Sequence, residues 1–268
     1  MFKATLPRCN VAAANATATV STQKFYSARS AKAFPIFQDS GAAQFLAAAG
    51  TIESIPELHG GPEVIFTGRA NVGKSSLLNL ILGRNKLAST SKKPGHTKTL
   101  NFFGVSRDPR KLVIVDGPGY GARGRPEWGQ AFEHYIQNRP SLKRVYILFD
   151  IKHGLTPDDK AMLMFLDEAC QKASPLGWTL QAVITKASWT GTIPSHMVAI
   201  IERLTKNIFA FAPTCLPPII TSSKRPVRGL FHMRQNIVEA IGAGSAKIRP
   251  EKVGRAYVVI EDAQTKTA

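Results

Sequence analysis

Short apolar runs alternate with amphipathic stretches along most of the chain. Glu63–Thr67 (EVIFT) is a strand-length apolar run ending in a glycine-rich turn, and Lys74–Leu82 after it has helical spacing. Leu112–Val115 (LVIV), Arg144–Phe149 (RVYILF), Leu180–Thr185 and Pro218–Thr221 are further buried, strand-sized runs. After Thr156-Pro157, an N-cap followed by a first-turn proline, Met162, Phe165, Leu166, Ala169 and Cys170 fall on one helical face. Asp158 and Asp159 sit in the positive first turn of that helix. Pro194–Phe211 and Gly229–Ile241 read as two more helices. Strands separated by helices predict an α/β fold, a mostly parallel sheet with helices on both faces. No internal repeat is present, and Gly41–Ile241 reads as one domain. No apolar run approaches the roughly 18 residues of a membrane span; the longest candidate, Val145–Phe149, is strand-sized.

Composition adds a partner class. The chain carries 35 Lys+Arg against 18 Asp+Glu, a net charge of +17, which points to a polyanion, either nucleic acid or an anionic membrane. Three cysteines (Cys9, Cys170, Cys215) lie far apart without a C-x-x-C, arguing against a disulfide framework and a zinc site. Residues 1–38 are a different kind of sequence. They contain Lys3, Arg8, Lys24, Arg29 and Lys32, no acid, much Ala, Ser and Thr, and no compact apolar centre. That composition fits a mitochondrial transit peptide, with KFYSARS (24–30) as the processing region near Tyr26–Ser27; a disordered basic tail is the alternative. Removing those five charges from +17 leaves +12, so the basic balance is not confined to the leader. Residues 243–268 read as a short basic tail with Lys247, Arg249, Lys252 and Arg255.

The strongest chemical signal is GRANVGKS: Gly68, Arg69, Ala70, Asn71, Val72, Gly73, Lys74 and Ser75. It matches G-x-x-x-x-G-K-S between a predicted strand and a predicted helix, the context in which that motif cradles phosphates. Backbone N–H groups face the phosphates, Lys74 reaches the β- and γ-phosphates, and Ser75 holds Mg²⁺. The motif specifies a nucleoside triphosphate but not its base. Downstream, VDGPG ends the LVIV strand: Asp116 is placed to serve Mg²⁺, and with Gly117 and Pro118 it leads to Gly119, whose N–H can meet a γ-phosphate. Between them, KKPGHTKTLNFF (92–103) is a polar, glycine-containing stretch before a strand, and its Thr97 could close on Mg²⁺.

Taken in order, EVIFTGRANVGKSSLLN, PGHTKTLNFF, DGPGYG, DIKHGLTPDD, ITKAS and TSS resemble the EngB (YihA) family of P-loop GTPases. The resemblance covers residues 41–242 and all five nucleotide-binding segments. It implies a three-layer α/β P-loop GTPase fold, binding of GTP or GDP with Mg²⁺, and a role in assembly of the large ribosomal subunit. With the leader, it implies a mitochondrial member that acts on mitochondrial ribosomes and ribosomal RNA in the matrix. By the same resemblance, Gly68–Ser75, Gly95, His96, Thr97, Lys98 and Thr99, Asp116–Gly119, Thr185, Lys186, Ala187 and Ser188, and Thr221, Ser222 and Ser223 line the nucleotide. Ser75, Thr97 and Asp116 belong to the metal, and Lys74, Asn71, Thr97 and Gly119 to catalysis. A P-loop kinase or ATPase is disfavoured because DGPGYG and PGHT follow the GTPase order.

Two positions need separate treatment. Tyr120 follows Asp-x-x-Gly where many small GTPases place a water-orienting glutamine, so hydrolysis to GDP and phosphate is expected to be slow, and the alternative is a nucleotide-gated ribosomal-RNA-binding module with negligible hydrolysis. In related potassium-activated GTPases, asparagine at the Asn71 position helps hold a K⁺ that replaces an arginine finger; the other reading of Asn71 is a residue that shapes the loop. Second, Thr185-Lys186-Ala187-Ser188 has serine where the guanine-reading tetrapeptide has aspartate. No acid lies nearby in sequence, since Glu168 is followed next by Glu202, and weakened base discrimination is expected. Finally, residues 84–125 hold ten basic residues (Arg84, Lys86, Lys92, Lys93, Lys98, Arg107, Arg110, Lys111, Arg123, Arg125) against Asp108 and Asp116, a surface suited to RNA phosphates.

Overall fold

Seven strands form one sheet: β1 (Gln44–Ala49), β2 (Glu63–Arg69), β3 (Leu100–Gly104), β4 (Val113–Tyr120), β5 (Leu142–Asp150), β6 (Thr179–Thr185) and β7 (Leu216–Ile220). The computed structural model describes residues 34–38, 42–58, 60–84, 86–88, 99–108, 111–121, 129–173 and 177–243. The strand order is β1-β3-β4-β2-β5-β6-β7. β3 runs antiparallel to both its neighbours, and every other pairing is parallel. Side chains alternate between the two faces, as a pleated strand requires. Val64 and Phe66 pack under α1 (Lys74–Ile81) and α5 (Leu230–Ala240). Ile65 packs on the opposite side, against α2 (Gln130–Asn138), α3 (Pro157–Ala173) and the Ile208 end of α4 (Ser195–Phe211). In β5, Tyr146 and Leu148 take the first side and Val145, Ile147 and Phe149 the second. Burial on both faces explains why these strands read as unbroken apolar runs.

The α3 start follows its sequence signals closely. Thr156 N–H donates to Asp159 Oδ2 at 2.8 Å and Asp159 N–H donates to Thr156 Oγ1 at 3.3 Å, a reciprocal cap, with Pro157 in the first turn. Met162, Leu163 and Leu166 then enter the core, each fully buried aliphatic side chain contributing about 1.5–3 kcal/mol.

Three features differ from the pattern. β1 and α2 are not among the elements read from the sequence: QFLAAA is short, and α2 spans only 9 residues, although Ala131, Phe132, Tyr135 and Ile136 fall on one buried helical face. β4 continues past Val115 through Gly117-Pro118-Gly119 to Tyr120, pairing Gly119 with Gly68 and Tyr120 with Arg69. Gly and Pro ordinarily mark a turn, but here glycine permits close backbone approach, since a Cβ on Gly117 would lie 2.9 Å from Phe66 O. Residues 34–38, grouped with the leader by composition, contribute a 3₁₀ turn at Pro35–Phe37. Phe37 is buried beneath the Arg234 guanidinium at 5.1 Å, and the Phe34 ring lies 5.2 Å from that of Phe231. Residues 1–33 and 244–268, the rest of the leader and nearly all of the basic tail, lie outside the described residues.

The sheet borders are unlike one another. β7 carries Pro217 and Pro218 on one border, and the uncharged β1 forms the other, with a register shift between Phe45 and Ala47. Among the described residues Cys170 and Cys215 are free thiols, and burial pushes both up, Cys215 to about 12. No described helix is long and apolar enough to cross a membrane.

Candidate nucleotide-binding site

The chemistry-bearing segments gather at the carboxyl ends of β2, β4, β5, β6 and β7, where open parallel sheets bind ligands. Gly68 and Arg69 end β2, and Ala70–Gly73 turn into α1. Asn71 has φ +63° and Gly73 φ +106°, left-handed conformations that asparagine and glycine tolerate best. This geometry accounts for Asn71 as a loop-shaping residue. Gly73 supplies no side-chain cap to α1, so the positive end of the helix is left to an incoming anion. Lys74 is the first residue of α1; its buried ammonium pairs with the buried carboxylate of Asp116 on β4. Ser75 follows in the first turn, so a paired ammonium and carboxylate stand at an uncapped helix start that also carries a hydroxyl residue. That donor set suits a phosphate with a hard, oxygen-seeking cation: Lys74 for the phosphate, Ser75 and Asp116 for Mg²⁺. Thr67 Oγ1 donates to Pro118 O at 3.2 Å and Ala70 N–H to Tyr120 O at 3.1 Å, binding the P-loop to the Asp116–Gly119 segment.

The base-side loops are tied to the same frame. Thr185 Oγ1 lies 2.7 Å from Val72 O and 3.0 Å from Phe149 O. Lys186, at φ +59°, turns its ammonium back onto Asn71 O and Asp150 Oδ2, both at 2.7 Å. Ala187 N–H donates to Thr221 O at 3.1 Å, joining the two loops, and Ser222 Oγ donates to Lys224 O at 3.2 Å. Ser188 and Ser223 are exposed. Arg69, Ala70, Asn71, Val72, Asp150, His153 and Lys186 line a cleft of about 250 Å³ along the P-loop. Thr99 sits just before β3, at the same pole of the sheet, its Cγ2 beside Gly50. Gly95, His96, Thr97 and Lys98 lie outside the described residues, as do Lys92, Lys93, Arg110, Arg123 and Arg125.

Asp150 corrects one expectation: an acid does stand near Lys186, brought there by β5 rather than by sequence. It is 3% exposed and accepts hydrogen bonds from Lys186, from Lys152 N–H at 2.9 Å and from His153 Nδ1 at 3.0 Å. Burial opposes its charge, yet these bonds outweigh burial and hold its carboxyl below the usual range. The visible signal was an acid closing the otherwise apolar run RVYILFD. A second unanticipated pair is Tyr120 and Asp159: the buried phenol donates to Asp159 Oδ1 at 2.9 Å. Burial, then the Asp159 charge, pushes the phenol well above its ordinary pKa, so it remains a neutral donor. Tyr120 thus links the end of β4 to the α3 cap. Tyr120→Phe is expected to lower stability by about 1–2 kcal/mol and the thermal midpoint by about 3–6 °C. An unchanged melting curve would show that the bond contributes nothing.

Residues 63–185 match the family model described as "50S ribosome-binding GTPase". Toc33 of Arabidopsis thaliana, solved as a dimerization-deficient mutant, shares the fold at TM-score 0.51 and 13% identity, over 70% of this chain and 86% of that one. Fold and site together define a P-loop GTPase. The probable GTP-binding protein EngB of Bartonella bacilliformis is 34% identical over 208 residues, 74% of this chain and 92% of the relative. That of Bartonella quintana is 36% identical over 206 residues, 71% and 91%. The chain belongs to the EngB family of GTP-binding proteins.

Proposed function

We propose that this EngB-family protein acts in the mitochondrial matrix, where it hydrolyses GTP to GDP and phosphate and assists assembly of the large ribosomal subunit, and so translation. The observation that carries the GTP chemistry is the Lys74–Asp116 pair at the uncapped start of α1, with Ser75 the next residue of its first turn. The family description "50S ribosome-binding GTPase" and the basic span 84–125 support a ribosomal RNA partner. The acid-free leader supports import, and processing near Tyr26–Ser27 would leave Phe34 and Phe37 to pack on the body. Mg²⁺, held through Ser75, Asp116 and Thr97, would neutralise the phosphates during transfer to water. A K⁺ beside Asn71 would supply further positive charge.

A second reading is favoured by Tyr120, whose hydroxyl is held by Asp159: a ribosomal-RNA-binding module gated by nucleotide, with negligible hydrolysis. Both predict the same partner. Tagged protein recovered from purified mitochondria should begin near Ser27 and sediment with large-subunit particles in a non-hydrolysable GTP analogue, leaving them in GDP. An intact Met1 would remove the import step, and sedimentation with no ribosomal particle in either nucleotide would remove the ribosomal role. Turnover stimulated by the particles favours the GTPase; none favours the module.

A further inference from the structure

The base-side loops, 184–190 and 221–228, contain no Asp or Glu and four cations, Lys186, Lys224, Arg225 and Arg228. Ser188 follows the buried Ala187 and is exposed beside Lys186, whose stem runs back to the P-loop. Several polar groups that could replace a carboxylate there are engaged elsewhere, and the Ser223 hydroxyl, exposed like that of Ser188, carries no charge. Asp150 is held by Lys186, Lys152 N–H and His153, and is almost wholly buried. The hydroxyls of Thr185, Thr221 and Ser222 are turned onto backbone carbonyls. Arg228 stacks 4.1 Å from the Trp189 ring centroid and donates to Trp189 O at 2.9 Å, which fixes the residue after Ser188 without adding an acceptor.

We propose that this chain reads its purine through Ser188 and the loop backbone without a carboxylate, and so takes guanine, hypoxanthine and xanthine nucleoside triphosphates with nearly equal affinity. The inference rests on the family's use of Thr185–Ser188 and Thr221–Ser223 as base-side loops. Guanine presents a ring N–H and an exocyclic amine, two donors matched by the two oxygens of a carboxylate. Hypoxanthine lacks the amine, and xanthine has a carbonyl in its place. A serine hydroxyl is both donor and acceptor and carries no charge, so it can meet an amine or a carbonyl alike. The surrounding cations do nothing to favour an amine over a carbonyl. All three bases share a 6-oxo acceptor suited to backbone N–H groups, whereas adenine offers an amine there and binds less well. Phosphate contacts at Lys74 and Ser75 are common to all four.

The test is competition of the Mg²⁺ complexes of GTP, ITP, XTP and ATP against fluorescently labelled GDP, on the full chain and on Ser188→Asp. In the unaltered chain, ITP and XTP should bind within about threefold of GTP. A hydrogen bond to a charged group is worth about tenfold or more. Ser188→Asp should therefore tighten GTP by about thirtyfold, ITP by less, and weaken XTP, whose carbonyl meets the new carboxylate. A preference for GTP over ITP of about tenfold or more in the unaltered chain overturns the inference even if the variant fails to fold. Failure of labelled GDP and all four triphosphates to bind either protein overturns the nucleotide site itself, a different result from a strong GTP preference.

Discussion

Lys74→Ala should weaken binding of GTP and GDP by at least about a hundredfold. The loss arises at one point: Lys74 is the first residue of α1, held there by the left-handed turn at Gly73, and its ammonium is the buried cation of the P-loop. Charge-assisted hydrogen bonds contribute about 1.5–3 kcal/mol each. Two of them to phosphate oxygens therefore correspond to about 3–6 kcal/mol, and about 1.4 kcal/mol is a factor of ten. Truncation also leaves Asp116, 4% exposed, without its cation, so the variant should be less stable as well. Lys74→Arg should restore little, because a planar guanidinium does not fit the space of a slender ammonium buried between Asp116 and the loop. Calorimetric titration with GDP, at a temperature where both variants are folded, decides the matter; an affinity within threefold of the unaltered chain would mean that phosphates are gripped elsewhere.

Glu63→Ala should destabilise the fold by about 3–5 kcal/mol. Glu63 opens β2 at the pole opposite the P-loop and is fully buried. Its carboxylate accepts from Arg139 Nε at 3.0 and 3.1 Å, from Arg139 Nη2 at 2.6 Å, from Ser141 Oγ at 2.8 Å and from the Tyr135 hydroxyl. Arg139 also donates to Pro56 O at 3.0 Å, so the cluster pins the connection between β1 and β2 as well as α2 to the sheet. Burial, reinforced by Glu63, pushes the Tyr135 phenol far above its usual range, keeping it a neutral donor. Removing the acceptor strands three donors, one of them a cation. Glu63→Gln keeps an acceptor and should lose about half as much. Urea unfolding measures both. Binding of GDP by the folded fraction should be unaffected, because β2 separates this cluster from Gly68 by roughly 17 Å at 3.3 Å per residue. A destabilisation below about 1 kcal/mol would mean that the cluster relaxes onto water.

The contrast between these two residues shows what the sequence makes readable. Lys74 lies inside a contiguous pattern whose backbone geometry is set by its neighbours, so motif and three-dimensional role coincide. Glu63 reads as a polar residue at the edge of an apolar run, and its partners are 72 to 78 positions away. The same distinction separates the strands β2, β5 and β6, visible as apolar runs, from β1, whose burial depends on the sheet it joins; α2 does show helical spacing at Ala131, Phe132, Tyr135 and Ile136, but over only 9 residues. Asp150 and Lys186 are 36 positions apart and meet only because β5 and β6 are adjacent and in register at Asp150 and Thr185. Tyr120 was identifiable as a departure from glutamine, but its partner required α3 to be placed. The extension of β4 through Gly117-Pro118-Gly119 was hidden because the residues that allow close strand approach are those that usually bend a chain.

Pro217 and Pro218 have a consequence for how copies of this protein can meet. Successive N–H groups of a strand point to opposite sides, so one of the two prolines removes a donor from the outer β7 border, leaving β1 as the more receptive border among the described residues. Growth of a filament by strand addition needs two receptive borders per molecule, one to receive and one to offer. With one border impaired, pairing through β1 would favour a single encounter, face to face with a second β1, over chain-like polymerisation through the sheet.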